Sequence, residues 1–148
     1  MKKLAALLLP LLVVGVLILA ACGKTPGGTV SGGGTPTLTN TIGMQAQNFA
    51  LHAAEVKVNT PVTFDDTIGG GGTHIVCIGT GTGGTTSCDP AGAGNGPSQL
   101  YGSGITFNAG TTSGPTAQTQ QITFPNTGTF HIICTIHTGM YVDITVVS

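Results

Sequence analysis

Cys134-Thr135-Ile136-His137-Thr138-Gly139-Met140 places a thiol, an imidazole and a thioether within seven residues. As a ligand set these donors are soft, and they suit copper better than zinc, calcium or magnesium. A fourth ligand is needed, and His74, in Gly72-Thr73-His74-Ile75-Val76, is the natural candidate. Each residue also has a bland reading. A single Cys is commonly a buried structural residue, a loop His is commonly solvated, and Met140 could pack at the head of a strand. The fixed spacing of the three outweighs those separate readings. Of the other histidines, His131 alternates away from Phe130, Ile132 and Cys134. His52 follows Phe49-Ala50-Leu51 with no motif, and it is the remaining alternative to His74.

Rigid elements must hold such a set. Phe130-His131-Ile132-Ile133 precedes the ligand loop and Tyr141-Val142-Asp143-Ile144-Thr145-Val146 follows it. Alternation of this kind predicts half-buried strands. The same reading predicts strands over Thr37–Asn40, Gln45–Leu51, Glu55–Asn59, Pro61–Phe64, His74–Ile78, Gly104–Phe107, Gln118–Phe124, Thr129–Cys134 and Tyr141–Val147. Asn59-Thr60-Pro61, Pro125-Asn126-Thr127-Gly128 and Gly69–Gly72 supply the turns between them. Many short strands with Gly and Pro turns predict an all-β fold, a two-sheet sandwich. Gly79–Gly104 does not read as strand. It reads as an irregular insertion tied down at one point, with only Leu100 and Tyr101 to pack.

The Cys-x-x-His-x-x-Met loop follows Gly128-x-Phe130-x-Ile132-x-Cys134, and His74 lies sixty residues before the Cys. This pattern resembles the cupredoxins, the small blue copper proteins that include plastocyanin, amicyanin, pseudoazurin and halocyanin. The short gap from His137 to Met140 is closer to the amicyanin and pseudoazurin pattern than to plant plastocyanin. The resemblance runs from near Met44 to Ser148. It implies a Greek-key sandwich and one type 1 copper ion held by His74, Cys134, His137 and an axial Met140. It also implies an edge of His137 near the surface within an apolar docking patch, for which Ile136 and Tyr141 are candidates. Three positions depart from the family. Ile75 stands where many members have an Asn that ties the ligand loops together. Ile136 stands where many have Pro, and Val142 where a Gly is common. Thr135 matches the family.

The N-terminus reads separately. Lys2 and Lys3 precede an apolar run from Leu4 to Leu19 that ends Leu19-Ala20-Ala21-Cys22. This is the pattern of a secretory leader. The Cys resembles the last position of a bacterial lipobox, which makes residues 1–21 a lipoprotein signal peptide and Cys22 the lipidated first residue. An uncleaved anchor helix and a plain signal peptide are the alternatives. Residues 22–36 are rich in Gly, Thr and Pro and read as a flexible tether. Its mean reach is about 20 Å, and about 50 Å when extended. The folded domain is then 37–148.

Beyond the leader, Lys24 and Lys57 stand against Glu55, Asp65, Asp66, Asp89 and Asp143, a net charge of −3 with no Arg. Nucleic acid needs basic clusters for its phosphates, so it is excluded as a partner. Docking by charge onto anionic lipid is excluded as well, which leaves membrane attachment to lipid on Cys22. Cysteine counting assigns Cys22 to lipid and Cys134 to metal, so Cys77 and Cys88 are expected to form a disulfide in an exported compartment. A Cys77–Cys134 crosslink is the competing pairing, and it would abolish the metal site.

The expected function is one-electron transfer by a monomer anchored on the outer face of the cell membrane or its periplasmic side, with redox proteins as partners. The rivals are a non-redox copper-binding or delivery lipoprotein, and a structural surface domain binding zinc or no metal. Delivery proteins favour exposed Met and His clusters, and only Met44 and Met140 remain past the leader. No nucleophile–base set is evident, so an enzyme is not expected.

Overall fold

The structure, a computed structural model, describes residues 35–68, 71–80, 86–90, 94–110, 114 and 117–148. The leader, Cys22 and the tether up to residue 34 lie outside the described residues. The strands are β1 (Thr37–Leu38), β2 (Thr41–Gln45), β3 (Asn48–Phe49), β4 (Ala53–Lys57), β5 (Pro61–Asp65), β6 (Thr73–Ile78), β7 (Ile105–Asn108), β8 (Thr119–Thr123), β9 (Gly128–Cys134) and β10 (Tyr141–Val147). A single 3₁₀ turn, Ser98–Leu100, is the helical element among the described residues.

Two sheets form, a six-stranded one in the order β1-β4-β10-β9-β6-β7 and a four-stranded one in the order β3-β2-β5-β8. The expected all-β sandwich is therefore present. Its cause is visible strand by strand. Val62 and Phe64 of β5, Ile122 of β8, Ile132 and Cys134 of β9, and Val142 and Ile144 of β10 are all at most 1% exposed. These residues alternate with more exposed neighbours along β5 and β8, so each of those strands buries one face. Each fully buried Phe or Ile contributes about 1.5–3 kcal/mol by leaving water. The turn between β4 and β5 uses Asn59, the one non-Gly residue with positive φ (57°) among the described residues, and Asn tolerates that region better than most side chains.

The strand bounds expected from sequence agree closely over β5 to β10. They differ at the start. Gln45–Leu51 is not one strand. The chain turns at residues 46 and 47, and Met44 pairs back onto Phe49 as β2 meets β3. Thr41–Gln45 is strand instead, because Ile42 and Met44 are the residues the core takes.

The insertion also differs from expectation, since it is tied at several points. Cys77 and Cys88 form a disulfide, with their Cα atoms 5.6 Å apart. Gly79 bridges to Cys88, and Asp89 N donates to Ile78 O at 2.7 Å. Asn126 Nδ2 donates to Asn95 O at 2.9 Å from the far side. Leu100 is fully buried, and Tyr101 packs on the core with its hydroxyl accepting from Gly96 N at 3.1 Å. The insertion explains an oddity of β9, in which neither face of the C-terminal half is exposed. Ile133 lies opposite Cys77 in the register, on the face away from Val76 and Cys134, and both are fully buried. A Cβ on Gly104 would stand 2.8 Å from that of Cys77, so the returning chain lies directly on this face.

The disulfide spans a sequence separation of 11. A Cys77→Ala/Cys88→Ala variant should lose about 3 kcal/mol of unfolding free energy in urea melts of the metal-free protein, the loop-closure value for that span. A loss well under ~1 kcal/mol would mean that the backbone ties hold the insertion without the bridge.

Candidate metal centre

β9 ends at Cys134, and β6 begins one residue before His74. The two strands run antiparallel with Val76 opposite Cys134. His74 therefore lies one step along the same face of the sheet, at its end. A backbone bond from Thr135 N to Ile75 O, 2.9 Å, extends the connection past the last strand pair. The backbone of Ile75 thus joins the segments that carry His74 and Cys134.

The loop after Cys134 closes on itself. Met140 N donates to His137 O at 3.1 Å, and Cys134 N donates to Met140 O at 3.0 Å. Gly139 adopts φ 82°, which a side chain would oppose, and so allows this reversal. The turn swings His137 back over Cys134.

Three donors converge. Cys134 Sγ is 3.8 Å from His74 Nδ1 and 3.4 Å from His137 Nδ1. All three ligand atoms lie within 4.8 Å of one another. One ion bonded to a sulfur and two nitrogens at about 2.0–2.3 Å holds them ~3.5–4 Å apart, so the group fits a bound metal. Cys134 is the one free cysteine among the described residues. Met140, the residue before β10, is buried, and its backbone is bonded to both Cys134 and His137. His52 does not join the group. Its ring packs on Tyr141 at 5.5 Å.

Burial is graded. His74 and Cys134 are fully buried, His137 is half-buried, and Ile136 beside it is 48% exposed. The imidazole of His137 is thus the ligand that reaches toward solvent. Tyr141, the other candidate for the surface patch, is half-buried, with its ring against those of His52 and His131.

Two carboxylates escaped the sequence reading. Asp66 is fully buried after β5, and its Oδ1 stands 3.1 Å from His74 Nε2. The contact is close but is not aligned as a hydrogen bond, and neither atom has another partner among the described residues. Asp66 Oδ2 accepts from Gly72 N at 3.3 Å. Asp65 next to it faces outward, where its Oδ1 accepts from Thr67 N at 2.8 Å and shapes the turn. The sequence signal was an Asp pair just before a Gly run that leads to His74. The second is Asp143, set in an apolar strand, whose Oδ1 lies 2.7 Å from His131 Nδ1 directly across the β9–β10 pair. This pair occupies the face of β9 to which alternation sends His131.

Burial holds the His74 imidazole below its ordinary value, and the opposing charge of Asp66 offsets this only in part. Burial pushes the Asp66 carboxyl above its ordinary value, against the same attraction. A metal needs the neutral imidazole, so the lowered value keeps His74 ready to bind at neutral pH.

No family model and no curated protein matches the chain. Among solved structures, it is similar to a reduced amicyanin variant at 19% identity over 72% of this chain and 80% of that one, with a TM-score of 0.46. Another amicyanin variant, in the reduced Cu(I) form at pH 4, is similar at 16% identity over 84% and 87%, with a TM-score of 0.45. The copper-containing nitrite reductase NirK from Thermus scotoductus SA-01 is similar at 21% identity over 77% of this chain but 23% of that one, with a TM-score of 0.45. Likenesses this distant carry no residue role from one chain to another.

A lowered His74 value means that the unfolded chain takes up protons first as pH falls. The stability contributed by neutral His74 is present above about 6.5, the ordinary imidazole value, and is lost as pH drops through the folded-state value. Asp66 acts in the opposite sense, its contribution fading as pH rises above the ordinary carboxylate range. Denaturant melts of the metal-free protein should therefore lose stability below about pH 6.5, and His74→Asn should lose less over that interval. Equal slopes in the two proteins would show that His74 is not buried in its neutral form.

Proposed function

We propose that the protein is a type 1 copper electron carrier, exported and held at the membrane by lipid on Cys22. The observation that carries this reading is the convergence of His74, Cys134 and His137 at the end of a rigid sandwich, with Met140 buried beside them. Copper bound there would supply a one-electron couple. The chain's part is to hold one ligand set for both charge states. Thiolate and thioether suit Cu(I), and the imidazoles suit Cu(II) as well. His74 pairs with Phe107 in the β6–β7 ladder and Cys134 with Val76 in the β6–β9 ladder, so neither can move without breaking strand pairing. His137 is fixed by the bond from Met140 N to its carbonyl. Little reorganisation then accompanies a change of charge.

The route for the electron follows from burial. His74 and Cys134 are sealed, while the half-buried edge of His137 lies next to the exposed Ile136. A partner docks on that apolar spot, and its on-rate needs no basic patch on this chain. Acidic residues balance only sparse lysine, consistent with a partner recognised through apolar contact rather than through strong charge. The tether of residues 22–36 would give the domain the freedom to turn between donor and acceptor. The proposed redox partners are proteins, and the proposed working state is a monomer.

Titration of the full chain with Cu(II) should yield an intense blue charge-transfer band and a reversible one-electron wave in voltammetry. Cys134→Ser should abolish the band. A pale or colourless complex in the unaltered chain would sink the reading. The anchor has its own check. Cys22→Ser should move the protein from the membrane fraction to the soluble exported fraction, and an unchanged distribution would exclude lipid on Cys22 as the attachment.

A further inference from the structure

Asp66 asks for an explanation that stability does not supply. A buried carboxylate facing one imidazole is weak evidence for stabilisation, because desolvation of the charge offsets the attraction. A neutral acceptor could hold the ring as well. Yet the chain builds carefully around this group. Asp66 N donates to Gln118 O at 2.8 Å, which fixes the backbone just beyond β5. Gly72 N donates to its Oδ2 at 3.3 Å. Gly72 also leaves the necessary room, since a Cβ there would stand 3.2 Å from His74 Nε2. Among the described residues, the remaining oxygen, Oδ1, faces only His74 Nε2, at 3.1 Å. The opposite nitrogen, Nδ1, faces Cys134 Sγ. The imidazole is thus held between a carboxylate and the metal position.

We propose that Asp66 is the positioning residue of the metal centre: it fixes the His74 proton on Nε2, leaves Nδ1 bare for the metal, and with its charge favours the oxidised ion. The inference rests on the copper reading above for its last part and on geometry alone for the first two. A carboxylate on the far nitrogen makes an imidazole a stronger donor and sets its tautomer. A negative charge in a buried site also stabilises Cu(II) more than Cu(I), which lowers the reduction potential. Asp66→Asn keeps the shape and an acceptor oxygen but removes the charge.

Two measurements on the full chain test this. In the metal-free protein, nitrogen NMR of His74 should show a single tautomer with the proton on Nε2, and Asp66→Ala should populate both. A proton on Nδ1 in the unaltered protein, or an unchanged tautomer in Asp66→Ala, would overturn the positioning role whatever the metal does. In the copper-loaded protein, Asp66→Asn should keep the blue band, weaken Cu(II) binding about 10- to 100-fold and weaken Cu(I) binding less. A tenfold difference between the two ions raises the potential by about 59 mV. An unchanged potential in a blue Asp66→Asn protein overturns the electrostatic part. Absence of the blue band in the unaltered chain is a failure of the copper reading instead, and it leaves the tautomer measurement to decide Asp66. Should Asp66→Ala not fold, the tautomer is read in Asp66→Leu, which also removes the acceptor: a mixed population supports the role and an unchanged single tautomer counts against it.

Discussion

Sixty residues separate His74 from Cys134, and the antiparallel pairing of β6 with β9 removes that distance. Everything at the candidate metal centre is referred to this ladder. It sets Val76 opposite Cys134, so the side chains of His74 and Cys134 emerge on one face at one end. The Thr135–Ile75 backbone bond carries the same register into the ligand loop. A slip of a single residue would turn Cys134 to the other face of the sheet and leave the two ligands unable to meet. The core prevents the slip, because Ile132 and Val76 are both fully buried on the inner side.

The insertion guards the other side of the same ladder. Cys77 and Ile133 face outward as a directly opposed pair, where an open sheet would meet water. The disulfide to Cys88 and the return of the chain at Gly104 cover them. The strands beneath the site are therefore buried on both faces, which is unusual for an antiparallel pair in a small sandwich. A rigid floor suits a ligand set that must not rearrange. On the proposed reading, the insertion contributes to electron transfer by supporting the face of these strands opposite Cys134.

Much of this was legible in the sequence where the cause is local. Strict alternation marks β5 and β8 to the residue or nearly so, and the spacing of Cys134, His137 and Met140 marks the ligand loop. Cysteine counting found the Cys77–Cys88 bridge. What was not legible depends on contacts through space. β2 and β3 were merged because Gln45, Gln47 and Asn48 give no clear period, and only the demand of the core for Ile42 and Met44 decides where the strand lies. Asp66 looks like half of a solvated acidic pair. Its neighbour Asp65 does serve a surface turn, and nothing in the order of residues says which of the two turns inward. Likewise, the partner of Asp143 is His131, twelve residues away along the chain but directly across a strand pair.

The position of β10 has a consequence for how the molecule is made. It is the last strand in chain order, yet it sits in the interior of the six-stranded sheet, with β4 parallel on one side and β9 antiparallel on the other. Until Tyr141–Val147 has been delivered, β1 and β4 have no connection to β9, β6 and β7, and the sheet exists as two halves. Joining them requires contacts between ends of the chain far apart in sequence, a slow step by its topology. The six-stranded sheet therefore stays in two parts until β10 is in place. The same strand, entering directly after Met140, completes the loop that carries His137.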